Sequence, residues 1–247
     1  RFNERMQING EMIPDDELCR ITEEIKPLAD SIFEQPTEFE MVTAIAFAWF
    51  ARRKCDIVVC EVGMGGEFDA TNVIGAPEAA VLCNIGLDHT EVLGDTLEKI
   101  AATKSGIIKP GCDAVLYRST DGVEAVVEQR CREVGATLHK VDFTGLHLRS
   151  HSLEGQVFDF GGREALHLPL LGEHQLHNAA VALTTLDVLQ KRGWQITEAD
   201  IRRGLSHVTW PGRFQIIRRD PLFLIDGGHN PQCIQALAQN IADYLPN

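Results

Sequence analysis

Glu61, Asp88 and His89 are the residues whose types and spacing first suggest chemistry. Glu61 closes the apolar run Ile57-Val58-Val59-Cys60 and opens a stretch that contains Gly63, Gly65 and Gly66. A short apolar run bounded by polar residues reads as a buried parallel strand. In open α/β sheets, ligands bind beyond the C-terminal ends of such strands. The three glycines would let the backbone turn sharply and approach a ligand where a Cβ would collide. A second apolar run, Ala79 to Ile85, ends in the same way on Asn84, Gly86, Asp88 and His89. Carboxylate and imidazole groups brought to one sheet edge point to a metal or phosphate site. The same spacing also suits ordinary polar loop residues.

The elements that must position these groups are legible in the flanking sequence. Ile13, Leu18, Ile21 and Ile25 recur at helical spacing from Pro14 to Leu28, with Asp15, Asp16 and Glu17 where the helix would start. Residues 41–53, MVTAIAFAWFARR, are apolar on nearly every side and predict a buried helix packed on the sheet. A helix is expected over 96–105. A strand (114–117), a helix (123–134) with Gly135 as its C-terminal cap, and a strand (137–141) should follow. Strands alternating with helices imply βαβ units, so the fold class is α/β with a largely parallel sheet flanked by helices. Short alternating runs with glycine turns between Leu146 and Leu170 predict a small antiparallel edge or flap. A strong helix should run from the Leu171–Gln175 stretch to Leu189, and Thr197 with Asp200 forms a capping-box pattern for another.

Trp210-Pro211-Gly212-Arg213 breaks the pattern and reads as a linker. Beyond it Phe223-Leu224-Ile225 predicts a strand, and Pro231 sits in the first turn of a helix to Tyr244 with Asn230 as N-cap. The expected division is therefore 1–209 as one domain, and 210–247 as a hinge plus the first βα unit of a second.

The chain has 247 residues and a formal net charge of −13, which excludes a general binder of nucleic acid or anionic membrane while leaving room for a local basic pocket for ATP. Its seven cysteines are scattered without CxxC spacing, and Cys60 and Cys83 fall inside the expected buried strands. That usage predicts a reducing, cytoplasmic setting. No apolar run is long enough to cross a bilayer, and the N-terminal stretch has no signal-peptide core. The chain also lacks an initiator Met and is expected to begin partway through a larger protein.

Taken together, EVGMGGEFDATN (61–72), LDHTEVLG (87–94), KSGIIK (104–109), LLGEHQLHNAA (170–180), WPGR (210–213) and DGGHNP (226–231) resemble folylpolyglutamate synthase. This is the folate branch of the ATP-dependent Mur ligase superfamily, some of whose members are also dihydrofolate synthases. The motifs occur in the family's order over essentially all of the chain. The family's N-terminal phosphate-binding loop, of GTNGKGS type, and most of its C-terminal domain lie outside these residues, so the chain alone is expected to be inactive. Gly228 replaces the alanine usual in DGAHNP.

The resemblance implies a central Mur-type ATPase domain and the start of a Rossmann-like C-terminal domain, in a monomer. The implied activity joins the carboxylate of a folate, or of dihydropteroate, to the amine of L-glutamate through an acyl phosphate made from ATP. It also implies residue roles. Glu61 and His89 become Mg²⁺ ligands, and Lys104 becomes a carbamylated lysine. Asn178, Arg213, Asp226 and His229 contact ATP, while Thr37, Phe39, Glu40 and Phe68 line the folate pocket. Phe39 or Phe68 could stack on a planar heterocycle. Two other readings stay open: a Mur-type amide ligase acting on another carboxylate, and a non-catalytic folate- or nucleotide-binding module.

Overall fold

A computed structural model describes residues 2–245, with Pro231 and Gln232 in backbone only. The chain opens with a single 3-10 turn (Phe2–Arg5) and a two-residue antiparallel hairpin, β1 (Gln7–Ile8) and β2 (Glu11–Met12). Helices α1 (Asp15–Asp30) and α2 (Glu38–Arg52) follow. The acids predicted at the start of α1 stand in its first turn, and Pro27 lies inside it. Thr37 starts α2 through a complete capping box: its hydroxyl accepts from the Glu40 N–H at 3.3 Å, and the Glu40 carboxylate accepts from the Thr37 N–H at 2.7 Å.

The chain divides into two compact units. One holds the residues up to Gly75 together with Thr103–Ile107; the other holds Ala76–Ala102 and everything from Ile108 onward. In the first unit, Met6, Ile13, Ile21, Ile45 and Trp49 form the core. The apolar helix α2 finds its cover there in α1 and in the 3-10 turn Ala70–Val73.

The second unit carries a three-stranded parallel sheet, β3 (Ala79–Leu82), β4 (Asp113–Leu116) and β5 (Thr137–Lys140), in the order β3-β4-β5. Between its strands run α3 (Thr90–Leu93), α4 (Leu97–Ser105), whose last turn belongs to the first unit, and α5 (Asp121–Val134). Gly135 caps α5 with φ 68°, the left-handed conformation that glycine adopts without strain. The predicted flap is an antiparallel meander of β6 (His147–Ser152), β7 (Gly155–Phe160) and β8 (Arg163–Leu168). Helix α6 (Glu173–Lys191) packs on β3 and β4, and its buried Leu176, Ala180 and Leu183 share one core with Val115, Phe158 and Leu166. The Thr197–Asp200 capping box starts α7 (Glu198–His207) as predicted. An antiparallel pair, β9 (Gln215–Arg219) and β10 (Leu222–Ile225), leads to α8 (Pro231–Tyr244), which Asn230 caps by accepting from the Cys233 N–H at 2.9 Å.

Two sequence expectations need correcting. Ile57–Cys60 belongs to no strand among the described residues, and Val59 is 98 % exposed. A parallel strand needs a hydrogen-bonded neighbour, and no described strand supplies one here. Cys60 and Cys83 are accordingly exposed rather than buried, and the observed β3 ends at Leu82.

One ion-pair network ties the start of the parallel sheet to the end of α6. The Arg192 guanidinium donates to Glu78 at 2.5 Å and to Asp113 at 2.8 Å, and His139 lies 2.7 Å from the other Asp113 oxygen. Burial alone would raise the Asp113 pKa, but the hydrogen bonds from His139 and Arg192 outweigh it and hold the carboxyl below its ordinary value. A depressed folded pKa stabilises above the unfolded value, and the gain is lost as pH falls through the folded one. Arg192→Met should therefore cost about 1 kcal/mol near neutrality, because Glu78 is partly solvated. The difference from wild type should shrink below about pH 4. Urea unfolding at several pH values measures both, and a pH-independent difference would refute the assignment.

Candidate functional site

In the first unit, the glycine-rich stretch 61–72 is folded around Asp69. This carboxylate accepts from the Met64 N–H at 2.8 Å, the Thr71 N–H at 3.0 Å and the Thr71 hydroxyl at 2.5 Å. Burial opposes its charge, but the bonds from Thr71, Met64 and Gly63 prevail and the Asp69 pKa is lowered. The loop is then laid against the last turn of α4, where Lys104 sits half-buried. A Cβ on Gly66 would stand 2.7 Å from the Lys104 carbonyl oxygen and 2.9 Å from that of Thr103. The Glu67 N–H donates to the Thr103 carbonyl at 3.0 Å. Gly66 thus serves the close approach of loop and helix, a use that the sequence reading assigned to a ligand.

The residues expected at the folate pocket divide by exposure. The Phe39 ring lies against Gly63, whose missing Cβ would fall 2.5 Å from Phe39 Cζ. Phe68, in the same loop, is 89 % exposed and free to stack on a planar ligand. Thr37 and Glu40 are engaged with each other in the capping box, which also includes a hydroxyl–carboxylate bond of 2.8 Å. Glu61 stands exposed at the start of the loop.

His89 lies in the second unit at the N-cap of α3, with its N–H donating to the Asp88 carboxylate at 2.9 Å. Its φ of 47° is left-handed, a conformation uncommon outside glycine and worth noting at a candidate site. Among the described residues no group of three or more His, Cys, Asp or Glu side chains is placed to hold a metal. Mg²⁺ does not require one, since it commonly takes one or two carboxylates and completes its shell with water and phosphate oxygens. Glu61 suits that ion, whereas the His89 imidazole is a ligand better matched to softer metals.

The residues expected to contact ATP are gathered in the second unit around the start of α6. Asp226 accepts from the Phe214 N–H at 2.8 Å and the Gly228 N–H at 2.7 Å, and the Gly227 N–H donates to the Gly212 carbonyl at 2.7 Å. The Trp210–Arg213 and Asp226–Asn230 loops are thereby tied together. Arg213 is exposed, and the His229 Nδ1–H bonds the Gly227 carbonyl at 3.1 Å. Asn178 is exposed on α6 and donates to Gln175 at 3.3 Å.

In the first turn of α6 stands His174, which sequence reasoning missed. Burial pushes its imidazole below the ordinary histidine pKa; Asp226 opposes that shift, while Arg213 and His177 add to it. The ring shares one electrostatic neighbourhood with Asp226 and Arg213. His177 bonds the Tyr117 hydroxyl at 3.1 Å and packs against Phe143 at 4.6 Å. The signal was present in HQLHN (174–178), where residues four apart on a helix share a face.

A sheet of three parallel strands flanked by helices defines an α/β protein. Residues 24–186 match the family described as Mur ligase middle domain, and the chain belongs to that family. It is similar to the dihydrofolate synthase/folylpolyglutamate synthase of Bacillus subtilis, at 34 % identity over 100 % of this chain and 60 % of that protein. It is 36 % identical to the folylpolyglutamate synthase of Lacticaseibacillus casei, over 96 % of this chain and 58 % of that one. A solved FPGS–AMPPCP–folate complex superposes with a TM-score of 0.90 at 35 % identity, over 100 % of this chain and 63 % of its own. The chain thus spans about 60 % of the length of these two relatives. No helix of the described residues is long and apolar enough to cross a membrane.

Proposed function

We propose that the protein, at its relatives' full length, is a folylpolyglutamate synthase. It joins L-glutamate to the carboxylate of a folate, or of dihydropteroate, at the expense of ATP. The observation that carries this reading is the whole-chain superposition on a complex holding both a folate and AMPPCP, a non-hydrolysable analogue of ATP. The substrate carboxylate attacks the γ-phosphorus and ADP departs; the glutamate amine then attacks the acyl phosphate and phosphate departs. Two polyanions must meet, so the protein's contribution is positioning and charge neutralisation.

In this reading residues 1–209 form the ATPase domain and 210–247 open a glutamate-ligase domain, and the enzyme works as a cytoplasmic monomer. Asn178 faces adenine, Arg213 binds phosphate through its planar fork, and Asp226 with His229 holds the nucleotide at the junction. Phe39 and Phe68 receive the pterin ring, with Thr37 and Glu40 at the helix start beside them. Glu61 would be the carboxylate ligand of Mg²⁺, with His89 the weaker second ligand that the resemblance implies, and the cation when bound would neutralise phosphate charge. Lys104 carries a carbamate that keeps the cation in place.

The test is phosphate release by the full-length enzyme with ATP, Mg²⁺, glutamate and a panel of carboxylates. Turnover that is highest with folates supports the reading; turnover with nucleotide-linked muramoyl substrates and none with folates overturns it. The ligand chemistry adds two expectations. Glu61→Gln should raise the Mg²⁺ concentration needed for half-maximal turnover ~10-fold or more, and more than His89→Ala does. Arg213→Lys should raise the KM for ATP and leave that for folate within about two-fold, since lysine offers a point charge in place of a fork. Equal effects on both substrates would remove Arg213 from the phosphate site.

A further inference from the structure

We infer that Asn72 is a positioning residue for Lys104, acting as a latch between the glycine-rich loop and the last turn of α4. The inference rests on the reading of Lys104 given above. The Asn72 side-chain amide donates to the Glu67 carbonyl at 3.0 Å and to the Gly106 carbonyl at 3.3 Å. Those two carbonyls lie on opposite sides of the seam between loop and helix end. Across the same seam the Glu67 N–H bonds the Thr103 carbonyl at 3.0 Å, and the Gly66 backbone approaches that of Lys104. Gly106 meets Glu67 so closely that an added Cβ would overlap the Glu67 Cα and Cβ.

One amide therefore spans 34 residues of sequence to hold the turn that carries Lys104. Asn72 is itself held, because its N–H donates to the Asp69 carbonyl at 2.8 Å and the Asp69 carboxylate fixes Met64 and Thr71. The chain of fixation runs from Asp69 through Asn72 to Glu67 and Gly106, and so to Lys104. A carboxamide suits the task because it has two N–H donors. A carboxylate of the same shape has none and would face two carbonyl oxygens.

Two measurements on the full-length enzyme test this. In hydrogen exchange, Asn72→Asp should raise the rate at the Glu67 and Gly106 amides ~10-fold or more, with protection in α6 unchanged. Unchanged protection at Glu67 and Gly106 would overturn the latch, whatever Lys104 does. In kinetics, Asn72→Asp should lower kcat ~10²-fold, the effect of a misplacement near 1 Å, with KM for ATP within about two-fold. In a Lys104→Ala background it should lower kcat by less than about two-fold, because the two residues act as a unit. Additive losses would overturn the positioning role and leave Asn72 a structural residue. If Lys104→Ala alone keeps full activity, the reading of Lys104 fails, and the exchange result still decides the latch.

Discussion

Lys104→Ala is expected to lower the turnover of the full-length enzyme by about 10²–10³-fold, the range found when a charge-stabilising group is removed from a reacting centre. Its melting temperature should change little. The loop packs against the Lys104 carbonyl oxygen and Cα, which alanine retains, and the side chain is only half-buried. On the proposed reading, a bare ammonium beside Mg²⁺ would repel the cation. Carbamylation consumes the uncharged amine and CO₂, releases a proton, and leaves two acceptor oxygens in place of a cation. Acetate should then restore part of the activity of Lys104→Ala and have no effect on wild type. In the intact enzyme, ¹³C-labelled bicarbonate should give a carbamate resonance that the variant lacks. An active Lys104→Ala, or a labelled wild type with no such resonance and no rescue of the variant, would end the idea.

The sequence patterns that depend on near neighbours were the most faithful guides. Thr197 with Asp200, Asn230 before Pro231, and Gly135 after α5 all act as the caps their types and positions predict. Each involves groups within four residues, so the chemistry that selects them is written locally. Thr37 and Glu40 carry the same local signal in their capping box. A Thr three residues before a Glu satisfies a helix start as well as it lines a pocket, and the structure shows both side chains bound to each other. Ile57–Cys60 failed for the opposite reason, since a strand is defined by its partner and an apolar run carries no record of one. His174 was passed over because an imidazole at a helix start becomes informative only when the charges of Asp226 and Arg213, 52 and 39 positions on, act on it.

The glycines of 61–72 were legible as glycines but not as to what each one admits. Gly63 admits the ring of Phe39, Gly65 takes a left-handed φ of 70°, and Gly66 admits the backbone of α4. Three adjacent requirements of different kinds produce one motif. Pattern reading alone merges them into a single statement about close approach to a ligand.

Gly66→Ala should separate them. The Gly66 backbone is not in the left-handed region, so alanine would meet no conformational penalty there. The whole cost must come from the carbonyl oxygens of Lys104 and Thr103, at 2.7 Å and 2.9 Å from the new methyl group. Both belong to backbone, and neither can swing aside as a flexible side chain would. Overpacking of this kind costs about 1–3 kcal/mol, and for a chain of this size each kcal/mol lowers Tm by roughly 2–4 °C. The displaced turn carries Lys104, so turnover of the full-length enzyme should fall ~10²-fold beyond any loss of folded protein. Gly75→Ala provides the contrast: nothing lies within 4 Å of its added Cβ and its φ is ordinary. That substitution should be neutral, or stabilise by about 0.4–1 kcal/mol through the unfolded chain. If Gly66→Ala matches Gly75→Ala in both Tm and turnover, the loop does not bear on α4 as described, and the route from Asp69 to Lys104 is broken at its central contact.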